Sequence, residues 1–434
     1  MNSAAQHHRK RILILASKLG YQTRAFADAA AKLGVEVSFG TDRCHKLDDP
    51  WADGALALHF ENPQAAAAAI AREMKAHLPD AILALGDRPT PAAAYAARAL
   101  GLPGNPPEAV EICRNKFDQR ETLRASGLRV PVFRSFSFAD DTESAASQLS
   151  FPCVVKPLSL SASQGVMRAN NTAEFREAVR RLRSLLASPE IQVQREGGLD
   201  RYLVEEYIPG REVAVEGLLT EGKLRVLAVF DKPDPLEGPF FEETIYVTPS
   251  RLPTSDQQAI EDSAAESIAA LGLLTGPVHA EFRINAAGPW ILEIAPRPIG
   301  GLCSRALRFG EQKIFLEDLL LRHALELDGS DWVRENAAAG VMMIPVPHSG
   351  ILEHVEGMET AEGITGIEEI RITARLHDYI AAWPEGSSYL GFIFSRAESP
   401  EAAEAALRAA HAKLNFVLTS RLPVEHPVTR RIAR

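Results

Sequence analysis

The order of apolar runs and turn residues at the N-terminal end constrains this chain most. Ile12–Ala16 is a short apolar run that closes on Ser17-Lys18-Leu19-Gly20. A helical pattern over Thr23–Leu33 follows and stops at Gly34, where a glycine suits the helix end. Val35–Phe39 is a second apolar run, ending at Gly40-Thr41-Asp42. Strand, helix and strand in this order need a crossover, so they imply a parallel, doubly wound sheet. The Ala-rich stretch Gln64–His77 reads as a helix, Ala81–Leu85 as a strand with Gly86-Asp87 at its carboxyl end, and Pro91–Leu100 as a helix ending at Gly101. Residues 1–110 are therefore expected to form one small α/β domain.

A dinucleotide site does not follow from that fold. No GxGxxG succeeds the first strand, and Gly20 stands alone where three glycines are needed. The basic start, His7-His8-Arg9-Lys10-Arg11, superficially resembles a signal peptide, but the apolar run after it is too short and Lys18 interrupts it. It reads as a disordered tail. No stretch approaches the length of a membrane span, and the cytoplasm is the expected compartment. The four cysteines, at 44, 113, 153 and 303, are too scattered for a disulfide framework or a CxxC metal site. They are expected to be small buried residues in a reducing environment. The 47 Lys and Arg against 57 Asp and Glu give a net charge of -10, which argues against a chain built to neutralise nucleic-acid phosphates. A single nucleotide needs only a few local cations and stays open.

Beyond the Pro103–Pro107 hinge, Glu108–Gly127 reads as a helix containing Asn115-Lys116-Phe117. Cys153–Lys156 is a strand, Ser159–Gly165 a Ser-rich turn, Ala173–Ala187 a helix and Tyr202–Ile208 a strand. Glu212–Leu219 and Leu224–Phe230 flank a turn and read as an antiparallel hairpin. Asp256–Leu271 is a helix, and Val278–Ile284 and Trp290–Ile294 are strands joined at Asn285–Pro289. The length of 434 residues suits about three domains. The divisions expected are 1–110, 111–335 with a smaller lobe over 151–210, and an α+β unit over 336–434.

Several features converge on nucleotide chemistry. Lys156 ends the apolar strand Val154-Val155-Lys156, and a lysine there is costly unless it meets an anion. The turn after it offers hydroxyls and N–H groups that fold over phosphates, though serine also serves plain loops. No Walker GxxxxGK[ST] is present. In Glu205-Glu206-Tyr207-Ile208-Pro209-Gly210-Arg211-Glu212, backbone groups of Glu206 and Ile208 suit an adenine edge and Glu212 suits two ribose hydroxyls. A hairpin with solvated acids is the plainer alternative. Strand alternation puts His279, Glu281 and Arg283 on one face, with Glu293, Ala295 and Arg297 together on the next run. The turn brings Glu281 and Glu293 side by side, where acids within apolar runs need a cation. Mg²⁺ fits, and Arg297 suits a phosphoryl oxygen. Structural ion pairs, Glu281–Arg283 and Glu293–Arg297, are the alternative. His279 reads as a hydrogen-bonded core residue, with no second histidine at ligand spacing.

Asn115-Lys116, Val154–Pro157, Glu205–Glu212, Glu281 and Glu293–Arg297 occur in one order. That set resembles the ATP-grasp superfamily, and within it the carboxylate–amine ligases that include bacterial L-amino-acid ligases. The resemblance implies an α/β chain with an α+β clamp: a Rossmann-like pre-ATP-grasp domain, a two-lobed ATP-grasp domain and a small C-terminal domain. It implies ATP and Mg²⁺ as cofactors, with Mn²⁺ as a substitute ion. Lys116 and Lys156 would hold ATP phosphates, with Lys232 a further phosphate contact, and Ser161, Ser163 and Gly165 would belong to a mobile lid. Glu205, Glu206 and Ile208 would meet adenine and Glu212 the ribose. Glu281 and Glu293 would bind the metal, and Arg297 would steady the transferred phosphoryl group. Glu243, or its neighbour Glu242, resembles an acid that faces metal or substrate. The implied partners are small-molecule carboxylate and amine substrates, with a homodimer compatible; nucleic acid and membranes are not expected.

Two departures stand out. The superfamily pattern usually carries Asn two residues after the second metal acid, where this chain has Ala295. The lid has one glycine where many relatives have several. The resemblance implies an ADP-forming ligase that makes an amide through an acyl phosphate. A bicarbonate-activating enzyme like biotin carboxylase and a non-catalytic ATP-binding regulator are the alternatives. Ile299–Arg305 is expected to line the acceptor pocket, with Arg305 clamping a carboxylate or starting a surface helix.

Overall fold

The computed structural model describes residues 9–17, 20–42, 55–329 and 331–420. Cys44, Lys18 and the start of the basic tail, to which expectations were attached, lie outside them. At the N-terminal end, four parallel strands lie in the order Ala55–Ala57, Glu36–Thr41, Arg11–Ala16 and Ala81–Leu85. Ile12, Leu13, Ile14 and Leu15 are buried, as a strand covered on both faces requires. Helices Tyr21–Lys32, Pro63–Glu73 and Thr90–Leu100 flank the sheet. Asn62 caps the second by accepting from the Ala65 N–H, and Gly101, in the left-handed region, ends the third.

The single helix expected over Glu108–Gly127 is two helices, Pro107–Arg114 and Lys116–Ala125. Asn115 sits between them in extended conformation, and its side chain accepts from the N–H groups of Phe117 and Asp118. Asparagine competes for local backbone bonds, so it favours a cap over a helix interior. The break sets Lys116 at a helix start facing the centre of the molecule.

The smaller lobe begins earlier than the expected residue 151. Its antiparallel sheet runs Phe133–Ser137, Arg201–Glu206, Cys153–Lys156, Met167–Ala169. Helix Thr172–Leu186 packs Phe175 and Leu182 onto it, with Phe136 and Tyr202 stacked in the same core.

The larger lobe is built on eight antiparallel strands. Their order is Gly288–Ala295, Gly276–Asn285, Arg211–Thr220, Lys223–Asp231, Ile245–Thr248, Ala338–Ile344, Gly391–Ala397, Ile367–Ile372. The last three come from the region expected to be a separate unit after residue 336. Every residue of Ala338–Ile344 is buried, so this strand needs a partner on each side. It takes Ile245–Thr248 on one and Gly391–Ala397 on the other. The C-terminal region is thus fused to the larger lobe through one sheet. Its remaining strands, Tyr379–Ile380, Gly350–Glu356 and Asn415–Thr419, form a small sheet of their own. Cys113, Cys153 and Cys303 are buried and free. Among the described residues no helix is long and apolar enough to cross a membrane.

Candidate active site

A cavity of about 790 Å³ opens where the N-terminal domain, the two lobes and the C-terminal region meet. Its lining includes apolar Val154, Ile208 and Leu292, with Glu206 and Tyr207 from the end of strand Arg201–Glu206 and the residue after it. Charged side chains of the N-terminal domain and of both lobes also line it, among them Asp87, Lys156, Glu281 and Arg297.

Lys156 closes the buried strand as the sequence suggests, but the protein supplies its anion. Its Nζ lies 2.6 Å from Glu205 Oε2, and Glu205 Oε1 accepts from Arg120 Nε at 2.8 Å. Arg120 is fully buried. The Glu205 carboxylate therefore anchors two cations and is not free for an adenine. Burial pushes the Lys156 ammonium down to about 8, against the pull of Glu205. Burial opposes ionisation of Glu205 too, but Arg120 and Lys156 hold its carboxyl below the usual range.

Glu281 and Glu293 face each other in register on neighbouring antiparallel strands, as the spacing predicts. The Glu281–Arg283 and Glu293–Arg297 pairings do not form. Glu293 meets Lys116 at 3.2 Å, and Lys116 also donates to the Leu160 carbonyl at 2.7 Å. Glu281 joins Glu212 and Glu243, and oxygens of these three lie within 4.8 Å of one another. Lys232 sits behind them, buried, with Glu212 at 2.9 Å, Glu281 at 3.4 Å and Glu243 in close contact. It does not line the cavity, so the expected phosphate contact is replaced by a counter-charge beneath the acids. Burial works against the Lys232 charge, but the three carboxylates hold its pKa well above the ordinary value. Glu212, expected at a ribose, divides its oxygens between Lys232 and Arg283 Nε, the latter at 2.9 Å. Glu243 lines the cavity and accepts from the Tyr246 hydroxyl at 2.7 Å, whereas Glu242 turns to the Val346 N–H.

His279 is a core residue, as its lone position suggests, but it touches the site. Nδ1 lies 2.5 Å from Glu216 and Nε2 lies 3.4 Å from Glu281. Burial disfavours its charge, yet Glu216 raises its pKa to about 9, so the imidazolium form is held at neutral pH. Glu216 is 1% exposed and also accepts the Ile299 N–H at 3.2 Å. Ala295 is buried opposite His279 and does not line the cavity.

Arg297 projects into the cavity and donates through Nε to Asp87 at 2.9 Å. Burial raises the Asp87 carboxyl, but the charge of Arg297 outweighs it and brings the pKa to about 2. Asp87 comes from the N-terminal sheet, at the carboxyl end of Ala81–Leu85, where open α/β sheets bind ligands. That rule could have nominated Asp87 from the sequence. Glu216 carried a signal too, an acid within the otherwise apolar run Val213–Leu219. Arg120 carried none.

Arg305 is not brought to the cavity. The 3-10 turn Cys303–Ala306 points Cys303 inward and sends Arg305 to Glu369 of the C-terminal region, at 2.7 Å. Ser161 and Ser163 line the cavity, while Gly165 does not. Gly165, with φ +75, donates its N–H to the Pro384 carbonyl at 2.8 Å. A Cβ there would lie 2.8 Å from Leu182 Cδ1, so glycine lets the loop lie flat. Trp383 Nε1 donates to the Ala162 carbonyl at 3.1 Å, and Gln164 Nε2 to the Glu385 carbonyl at 2.8 Å. The Ser-rich loop is thus fastened to the C-terminal region.

Family models match three parts of the chain: an ATP-grasp N-terminal domain over residues 27–104, an ATP-grasp domain over 149–306, and an L-amino acid ligase C-terminal domain over 342–419. The chain belongs to the ATP-grasp superfamily. The ATP-grasp match spans Lys156, Glu205–Glu212, Glu281, Glu293 and Arg297. Among solved structures, the L-amino acid ligase from Bacillus licheniformis has a TM-score of 0.80 and 29% identity, covering 95% of this chain and 99% of that one. Carnosine synthase 1 of Gallus gallus is 30% identical over 65% of this chain and 32% of its own length. Alanine–anticapsin ligase of Bacillus subtilis is 26% identical over 48% of this chain and 46% of its own. The chain spans less than two thirds of the length of the curated relatives it matches. This ATP-grasp chain is thus similar to proteins named as ligases, the L-amino acid ligase and the alanine–anticapsin ligase among them.

Proposed function

We propose that this chain is an ADP-forming carboxylate–amine ligase acting on amino-acid-like substrates. The observation that carries this reading is that one cavity is lined by Val154, Glu206, Tyr207, Ile208 and Leu292, by paired cations and carboxylates, and by residues of the C-terminal region. A nucleotide lying along the cavity places its base between Val154, Tyr207 and Leu292, beside Glu206 and Ile208. Its phosphates then run past Lys156, Lys116, Ser161 and Ser163 towards Arg297. The donor set suits Mg²⁺, since Glu281 and Glu293, with Glu243 beside them, offer only hard oxygens. When bound there the ion would neutralise charge on the β- and γ-phosphates.

The first step is attack of a substrate carboxylate oxygen on the γ-phosphorus. The bond to the β–γ bridging oxygen breaks and ADP leaves. An amine then attacks the acyl carbon, phosphate departs with the C–O electrons, the amine proton goes to water, and an amide remains. The residues act mainly by positioning and charge: Arg297, held by Asp87, meets the transferred phosphoryl group, and Lys116 and Lys156 fix the nucleotide. The lid loop excludes water that would hydrolyse the acyl phosphate. The match of residues 342–419 to an L-amino acid ligase domain favours an amine acceptor over bicarbonate.

The test is incubation of the full chain with MgATP and pooled amino acids, read by ADP, phosphate and product mass. ADP and phosphate with a new amide support the reading. AMP and pyrophosphate, or nucleotide binding with no turnover across the pool, overturn it.

A further inference from the structure

The larger lobe's sheet holds a buried polar pair that the proposed chemistry does not use. Strand Gly276–Asn285 runs between Gly288–Ala295 and Arg211–Thr220. The register sets His279 opposite Ala295 on one side and Glu216 on the other. The Ala295 methyl offers no polar atom, so of these two neighbours only the Glu216 side chain can bond the imidazole. It does so through Oε1, 2.5 Å from His279 Nδ1. Both side chains are buried, where polar groups are costly and apolar ones pack without penalty. A polar pair there calls for a use.

Each member reaches further. Alternation along the strand puts His279 and Glu281 on one face, and His279 Nε2 lies 3.4 Å from Glu281 Oε1. Glu216 Oε2 accepts the Ile299 N–H at 3.2 Å, and the Ile299 carbonyl accepts from Gln22 Nε2 of the N-terminal domain at 3.3 Å. Ile299 stands two residues after Arg297, in the loop between strand Gly288–Ala295 and the Cys303–Ala306 turn. His279, Glu281, Arg297 and Ile299 line the cavity, and Glu216 does not.

We propose that Glu216 and His279 are positioning residues: through the imidazole they set the Glu281 carboxylate for a divalent ion, and through the Ile299 amide they hold the loop that carries Arg297. One carboxylate outside the cavity lining thus serves both the ion's acid and the arginine's loop. Outer contacts of this kind orient the groups that meet a metal. This inference rests on the ligase reading and adds to it how the site is held.

The test compares the ADP affinity of the full chain with and without Mn²⁺, by calorimetry, in the wild type and three variants. His279→Asn places an amide where Nδ1 was, in reach of Glu216 but not of Glu281. His279→Gln places it where Nε2 was, in reach of Glu281. Glu216→Gln keeps the shape and removes the charge. Wild-type protein should bind ADP more tightly with Mn²⁺ than without. His279→Asn should lose about tenfold of that gain, with metal-free ADP affinity unchanged. His279→Gln should restore part of it. Glu216→Gln should lose several-fold of the gain and speed deuterium exchange in residues 296–302, because the Ile299 amide then has a neutral acceptor. A pair that only supports the fold would lower metal-free ADP affinity or the thermal midpoint and leave the gain alone. No metal-dependent gain in the wild type, an unchanged gain in His279→Asn and Glu216→Gln, equal losses in His279→Asn and His279→Gln, or unchanged exchange in Glu216→Gln would overturn the proposal. The expected pattern with no ADP release from MgATP and pooled amino acids would instead sink the ligase reading and leave the positioning role standing.

Discussion

Glu281 and Glu293 stand opposite each other on adjacent strands, yet a different lysine answers each: Lys232 at 3.4 Å for Glu281, Lys116 at 3.2 Å for Glu293. The lysines come from separate elements, one directly after strand Lys223–Asp231, the other at a helix start. Two acids placed side by side would otherwise repel. Each lysine answers one of the two carboxylates, and the proposed divalent ion would draw on both.

Glu293→Gln keeps the shape and a hydrogen-bond acceptor but removes one charge. It should lower ADP release about 10²–10³-fold, the range seen when one charge-stabilising group is lost from an active site. Thermal unfolding should barely move, because Glu293 is only partly buried. Retained turnover would remove Glu293 from the metal set.

Lys156 should impose a pH limit on nucleotide binding. Burial lowers its pKa to about 8, so it sheds its proton as pH rises through that value. If its charge holds phosphate, the KM for ATP should climb by up to about tenfold per pH unit above 8. Lys156→Arg should move that inflection out of range. Folding has the opposite sign. Between pH 8 and the ordinary lysine range the unfolded chain binds more protons, so this group's contribution to stability rises with pH. A flat KM from pH 7 to 9.5 would reject the assignment.

Arg120 and Glu205 are worth more to the fold than to the chemistry. Arg120→Met leaves Glu205 buried with only Lys156 for company. Breaking a buried pair from one side costs about 3–5 kcal/mol. The denaturant midpoint should fall accordingly with an unchanged slope. A shift below about 1 kcal/mol would mean that the pair is no stronger than one on the surface.

The sequence made the parallel N-terminal sheet legible because its apolar runs and glycine stops are local signals. The facing of Glu281 and Glu293 was legible for the same reason, since a short turn fixes the register. What stayed hidden depends on distant partners. Asp87 and Arg297 are 210 positions apart, and nothing near Arg297 names its acid. Lys232 resembled a phosphate ligand because a lone lysine shows its charge but not the three carboxylates above it. For Arg305 both a carboxylate clamp and a helix start were open, and its partner Glu369 lies in a distant part of the chain that no local pattern names. The fusion of the C-terminal region to the larger lobe was invisible because sheet neighbours Ile245–Thr248 and Ala338–Ile344 lie far apart in the chain.

The loop from Ser159 to Gly165 should couple ATP use to product formation through its tie to the C-terminal region. The indole of Trp383 and the amide of Gln164 each bridge the two. Trp383→Phe removes the donor and keeps most of the ring's volume; Gln164→Ala removes the second side-chain bridge from an exposed position, and the Gly165–Pro384 backbone bond remains. Each neutral hydrogen bond is worth about 0.5–1.5 kcal/mol, so losing both should open the loop several-fold to roughly a hundredfold more often. Water then competes with the amine for the acyl phosphate. The double variant should release ADP at a rate close to wild type while forming less amide per ADP, the remainder appearing as phosphate and unchanged acid. Equal yields of amide per ADP in both proteins would show that the tie does not guard the intermediate, since a loop acting only in nucleotide binding would change the KM for ATP and not this ratio.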